Sequence, residues 1–284
     1  MLHEVWFDAP PRGPRLCLCT WGGLERPVLI LHGYLEQGAA WDAVARRLGR
    51  AVCAPDQRGH GRSEHVGRGG WYHFWDYVGD AATLIDHLGG PLDVVGHSMG
   101  GTVALLLAAT RPDAVRRLVL VEGLGPPDGT EGALSRARDF VAERARPPQH
   151  KPMLSAAEAA DRMRRVNPRL EPATAMALAT RSTRPALPDE GPQGSVVWTW
   201  DVLHRARSPV PFQAALFERF LDAVKAPVLR IDGADSGFVL PDADQRASHL
   251  PVQRTVRIAG AGHLVHHDAP DALADEISAF LDAA

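Results

Sequence analysis

The chain has little of what would tie it to a membrane, a nucleic acid or an oxidising compartment. Only three of its 284 residues are cysteine. Cys17 and Cys19 stand two apart on one strand-like run, too close and too few for a disulfide framework or a thiolate metal site, so they are expected to be reduced thiols. Charge of one sign is also lacking. With 31 basic and 34 acidic residues the formal net charge is −3, which gives no positive field to attract nucleic acid or anionic lipid. No run approaches the roughly 20 apolar residues needed to cross a bilayer. The first eight residues carry His3, Glu4 and Asp8 in place of a basic patch and a long apolar core, so no secretory leader is expected and the location is expected to be cytoplasmic. Internal repeats and long low-complexity or like-charged tails are absent as well, which argues against a solenoid or a disordered arm. What remains is a chain 45% hydrophobic and 23% charged, long enough for one large core, whose partner should be a small molecule and whose state should be monomer or homodimer.

Short β-rich runs alternate with helical patterns from the start, the sign of a mostly parallel sheet with helices on both faces, an α/β fold. Strands are expected at 16–20, 27–31 (PVLIL) and 51–54, with an amphipathic helix over 40–48. A helix over 74–88 leads into the apolar strand 92–95, which runs into Gly-His-Ser-Met-Gly-Gly (96–101), a small-residue helix over 102–110 and a strand at 117–121. After Glu122 the texture changes to alanine- and arginine-rich stretches broken by PPQHKP (147–152) and RPALPDEGPQG (184–194). The alternation resumes with a helix at 212–224, a strand at 227–231, a helix near 243–249, a strand at 252–258 and a final helix at 271–281. The expected organisation is therefore a core of residues 1–124 and 212–284 interrupted by an inserted cap, 125–211.

Gly96-His97-Ser98-Met99-Gly100 fits G-x-S-x-G at the end of a strand and the start of a helix, the context in which a tight, strained turn exposes a serine hydroxyl. A free hydroxyl is a poor nucleophile near neutrality, so a base must take its proton. His263, in AGAGHLVHHDAP (259–270) just after the last strand, is the candidate base. His266 and His267 read as polar residues of the loop or first helical turn, and His97 as structural. His60, His73 and His204 read as surface or packing residues without metal-ligand spacing. Charge developing on a carbonyl oxygen needs fixed N–H donors, and Tyr34, in His32-Gly33-Tyr34 after the strand PVLIL, and Met99 are the candidates for this oxyanion hole.

HGY (32–34), DQRGHGRS (56–63), GHSMGG (96–101) and GAGHLVHHDAP (260–270) together resemble the α/β-hydrolase superfamily in its serine-esterase branch. The resemblance runs almost the length of the core and implies eight strands, mostly parallel, with a helical cap inserted after the sixth. It also frames the search for the triad acid. The commoner pattern, G-x-x-D before an apolar pair, meets Gly233-Ala234-Asp235-Ser236-Gly237-Phe238-Val239, which puts Ser236 in the acid's slot and Asp235 one residue early. In a subset of the superfamily the acid follows the sixth strand, where Glu122 stands, so Glu122 is the first choice and Asp235 the alternative. Asp56 reads as a brace of its own loop and Asp232 as part of a strand end.

The same triad serves ester hydrolysis, carbon–carbon bond hydrolysis and peracid formation, and the fold can also serve as a slow-turnover ligand receptor. The dehalogenase branch fits poorly because its nucleophile is Asp and position 98 is Ser. Met153, Met163, Trp198, Trp200 and Phe212 are apolar anchors in and near the cap, most of them expected to be packing, with Trp198 and Trp200 the candidates for substrate contact. The expected substrate is a small to medium, largely apolar ester. No cofactor or metal is expected, since the glycine-rich turn at 96–101 is better explained by the serine it displays.

Overall fold

A computed structural model describes residues 1–9, 13–67 and 69–283. Its elements, in chain order, begin with β1 (His3–Asp8), β2 (Arg15–Trp21), β3 (Val28–Leu31), a 3₁₀ turn (Gly38–Trp41), α1 (Asp42–Leu48), β4 (Val52–Pro55), α2 (Phe74–His87), β5 (Leu92–His97), α3 (Met99–Thr110) and β6 (Val115–Val121). They continue with α4 (Ala133–Ala145), α5 (Ala156–Val166), α6 (Pro172–Ser182), β7 (Thr183–Pro185), β8 (Val196–Trp198), α7 (Ala214–Leu221), β9 (Val228–Gly233), α8 (Ala243–Ser248), β10 (Val252–Ile258), α9 (Val265–Asp268) and α10 (Pro270–Asp282).

Eight strands form one sheet in the order β1-β2-β4-β3-β5-β6-β9-β10. Only β1–β2 and β2–β4 pair antiparallel; every other pair is parallel. The central strands are buried on both faces, and their period of two sends alternate residues to opposite layers. Leu29, Val94, Leu118 and Leu120 join the layer covered by α2, α3 and α7. Ile30, Val95, Val119 and Val121 join the layer covered by α1 and α10, where Trp41, Leu273 and Ile277 lie. Cys17, Cys19 and Cys53 are free and buried, and burial pushes the Cys17 and Cys53 thiols up to about 12, which leaves them unreactive.

The one core strand not expected from the sequence is β1. Its residues are exposed except Phe7, because it is an edge strand covered only in part, so no apolar run marks it.

Between β6 and α7 the chain builds α4, α5, α6 and the β7–β8 hairpin, and Met153, Ala159, Ala160, Leu170, Ala175 and Ala179 bury one another in a small cluster there. None of the residues of α4 is buried. Among the described residues no helix is long and apolar enough to cross a membrane.

The chain leaves β6 under the control of a buried cation. Arg246 of α8 is 0% exposed, donates from Nη1 to the carbonyls of Leu124 and Pro126, both at 2.9 Å, and pairs with Asp242 at 2.7 Å. A planar guanidinium serves all three acceptors at once from a fork of fixed geometry. Replacing Arg246 by Met should therefore strand these acceptors and cost roughly 2–4 kcal/mol, visible as a lower midpoint in urea unfolding; an unchanged midpoint would refute the anchoring role.

Candidate active site

The carboxyl ends of β3, β5, β6, β9 and β10 converge on one region, the usual place for a site in a sheet of this kind. Ser98 lies between β5 and α3 with φ 50° and ψ −113°, a conformation that side-chain-bearing residues rarely hold. Close approach forces it: a Cβ on Gly96 would lie 2.6 Å from the Gly100 carbonyl oxygen, and one on Gly100 would lie 2.1 Å from that of Leu31. The Ser98 N–H donates to Val121 at 3.0 Å, which ties the turn to the end of β6.

His263 Nε2 is 3.1 Å from Ser98 Oγ, and its Nδ1 is 3.0 Å from Glu122 Oε2. Glu122 also has a positive φ, 52°, and is 7% exposed. Two further donors satisfy it: the Gly233 N–H at 2.7 Å on Oε1 and the Ser236 hydroxyl at 2.8 Å on Oε2. Burial alone would raise its pKa. The hydrogen bonds from His263, Ser236 and Gly233 outweigh that and bring it below its ordinary 4.5.

Asp235 is elsewhere. Its carboxylate is half exposed and pairs with Arg169 at 3.1 Å. Ser236, standing where the commoner pattern has its acid, is a hydrogen-bond donor to Glu122 instead.

On the β3 side, the Gly33 N–H is taken by Glu36 Oε2 at 2.8 Å and the Leu35 N–H by His60 Nε2 at 3.2 Å. Among the described residues the N–H groups of Tyr34, between them, and of Met99 have no protein acceptor. The Tyr34 hydroxyl donates to the His204 carbonyl at 2.6 Å, which fastens this loop to the segment that ends the insertion. Much of the support comes from DQRGHGRS. Gln57 donates to the His32 carbonyl at 2.8 Å from its side chain and to His32 Nε2 at 2.9 Å from its backbone. His32 is thereby kept neutral, and burial lowers its pKa to about 4. Asp56 braces the same loop by accepting the Gly38 and Arg62 N–H groups.

His97 is buried, with Nδ1 2.9 Å from Glu36 Oε2 and Nε2 2.9 Å from the His263 carbonyl. His266 and His267 stand in the short helix α9, within the expected loop or first helical turn, and His266 is buried there. His266, 1% exposed, stacks on Trp41 at 4.6 Å and reaches Glu36 Oε1 at 2.9 Å. Burial drives this placement, because the short α9 turns them inward beneath the site. Glu36, His97 and His266 bring ligand-type atoms within 4.8 Å of one another, a grouping hidden from the sequence because it joins three distant segments. Trp198 and Trp200 stack on each other at 6.3 Å, with Trp200 also against His150 at 4.8 Å, so both are engaged in the packing of the insertion. The His263 ring meets Phe238 at 4.9 Å and His97 at 5.1 Å.

A family model described as the alpha/beta hydrolase fold matches residues 26–270. The chain belongs to the α/β-hydrolase family. A thioesterase domain from the curacin biosynthetic pathway superposes on this α/β-hydrolase with a TM-score of 0.85 at 33% identity, covering 98% of this chain and 99% of that one. An esterase of Mycobacterium tuberculosis is 31% identical over 92% of this chain and 85% of its own length. A lipase of the same organism is 43% identical over 119 residues, and this α/β-hydrolase spans 41% of that lipase.

The charge state of Glu122 gives a pH test. Its folded pKa is depressed, so its stabilisation is present above the unfolded value near 4.5 and is lost as pH falls through the folded value. The difference in unfolding free energy between wild type and Glu122→Gln should be largest at pH 7 and shrink towards pH 4; urea titrations giving a difference constant with pH would contradict an ionised, hydrogen-bonded Glu122.

Proposed function

We propose that this α/β-hydrolase is a serine hydrolase that cleaves ester-like acyl bonds through an acyl-enzyme on Ser98. The observation that carries the reading is the continuous chain Ser98 Oγ, His263, Glu122 at 3.1 and 3.0 Å. His263 Nε2 is within reach of the hydroxyl proton, and its Nδ1–H, donating to Glu122, fixes the tautomer that leaves Nε2 free to accept. Ser98 Oγ attacks the carbonyl carbon as His263 takes the proton. The N–H groups of Tyr34 and Met99, having no protein acceptor among the described residues, would meet the charge that builds on the carbonyl oxygen. His263 then hands its proton to the departing alcohol or thiol. A water attacks the acyl-enzyme by the same steps in reverse.

Residues 125–211 are read as the cap, linked to the oxyanion loop through Tyr34 and His204. The half-exposed Phe238 beside His263 favours a largely apolar acyl group of small to medium size. The likeness to a thioesterase domain over nearly the whole chain makes a thioester as natural a substrate as an oxygen ester.

Hydrolysis of p-nitrophenyl butyrate and of a butyryl thioester of N-acetylcysteamine, by wild type and Ser98→Ala purified alike, tests the reading. Wild type should turn over at least one of the two, and Ser98→Ala should lose roughly three or more orders of magnitude in kcat. Glu122→Gln should lose far more than Asp235→Asn. Equal, negligible rates for wild type and Ser98→Ala on both substrates would overturn the proposal.

A further inference from the structure

Glu36 stands outside the triad yet touches the oxyanion loop, the nucleophile turn and the short helix that follows the proposed base. Its Oε2 accepts the Gly33 N–H at 2.8 Å, next to Tyr34, and faces His97 Nδ1 at 2.9 Å, next to Ser98. Its Oε1 faces His266 Nε2 at 2.9 Å, three residues after His263, and His267 Nε2 lies 3.8 Å away. His97 completes the linkage through Nε2, 2.9 Å from the carbonyl of His263 itself.

The protonation of His97 follows from what its nitrogens face. One meets a carboxylate oxygen and the other a carbonyl oxygen, and both partners can only accept. The ring must therefore donate from both nitrogens, which makes it an imidazolium. Among the described residues His266 meets an acceptor at Nε2 alone and has no partner at Nδ1, so it is served as a neutral ring. Burial would strip His97 of its proton, but the charge of Glu36 and its hydrogen bond keep the His97 pKa above the usual histidine value, while burial keeps those of His266 and His267 below it. Burial would likewise raise Glu36, which His266 and His97 hold well below the ordinary carboxylate range. There is no slack around the pair: a Cβ on Gly33 would lie 2.6 Å from both Glu36 Oε2 and His97 Nδ1.

We propose that Glu36 is a positioning residue whose carboxylate, 13% exposed and paired with a His97 imidazolium, clamps the oxyanion loop, the nucleophile turn and the loop bearing the base in one working geometry. The clamp rests on the acyl-transfer reading above for its effect on rate, but not for its charge state. Substituting Gln at position 36 leaves the shape and removes the counter-ion. His97 then loses its second proton at a lower pH and, left with one N–H, can no longer donate both to position 36 and to the His263 carbonyl. The groups facing this pair are His32 from the β3 end, Glu122 and His263 from the triad side, and His266 and His267 from α9.

Two measurements test the clamp. In ¹⁵N-imidazole spectra, with His97 assigned by its loss in a His97→Asn variant, wild type at pH 7 should show both His97 nitrogens protonated and Glu36→Gln should not. In kinetics with p-nitrophenyl butyrate, Glu36→Gln should lower kcat by about 10–100-fold at pH 8, the scale of a misplaced catalytic group, with KM changed less than about threefold. The deficit relative to wild type should narrow towards pH 6, where His97 regains its proton. A neutral His97 in wild type, a deficit that does not vary with pH, or a loss confined to KM would overturn the clamp. A wild type inert both to the ester and to fluorophosphonate labelling of Ser98 would instead sink the acyl-transfer reading, and the imidazole spectra would still decide the ion pair.

Discussion

A carboxylate buried at the end of β6 must find donors or give up its charge, and much of the site is arranged around giving Glu122 three of them. The Gly233 N–H comes from the end of β9, the Ser236 hydroxyl from the loop beyond it, and the imidazole from the loop after β10. One charged group thus ties the ends of three neighbouring strands. The arrangement needs parallel strands in register, because only then do β6, β9 and β10 finish on the same edge of the sheet with their loops within reach of one side chain.

Local strain collects at the same edge. Ser98 and Glu122 both hold positive φ without being glycine, and each follows directly on a central strand. Their backbone N–H groups bond to the next strand over, Ser98 to Val121 and Glu122 to Ile231, so the sheet continues its ladder through the strained residues. The cost of these conformations, of order 1–3 kcal/mol each, is borne by strands buried on both faces. A flexible loop could not hold two side chains so consistently aimed at one imidazole.

Ser98 and His263 were legible because their surroundings leave a mark in the sequence: glycines where two backbones meet, an apolar strand before them, a glycine-rich loop after the last strand. Glu122 was legible as the first choice because Ser236 occupies the slot where the commoner pattern has its acid, and the structure turns that departure into a hydrogen bond between the two positions. Glu36 left no such mark. Its partners lie 61 and 230 residues away, and a lone glutamate after a turn reads as surface until the fold buries it. His266 and His267 fall in the expected turn, but their approach to Glu36 left no mark for the same reason. Strand β1 escaped because an edge strand with one buried residue has no periodicity to detect. Trp198 and Trp200 stack on each other, and Trp198 also packs on the small apolar cluster between β6 and α7, contacts that composition alone does not reveal.

Two glutamates, Glu122 and Glu36, divide the labour of holding one histidine. Glu122 bonds the ring of His263 and so governs its tautomer, while Glu36, through His97, governs where the backbone of His263 sits. A ring can be correctly protonated and still miss the serine if its backbone drifts, and the 3.1 Å contact leaves little room for drift. Fixing the side chain from one direction and the main chain from another removes translation as well as rotation, which a single carboxylate cannot do. The same Glu36 also holds the Gly33 N–H, so the loop proposed to meet the developing oxyanion is fixed relative to the proposed base and not merely to the sheet. That common reference matters for acyl transfer, because nucleophile, base and oxyanion donors must all be correct in one frame at the same moment.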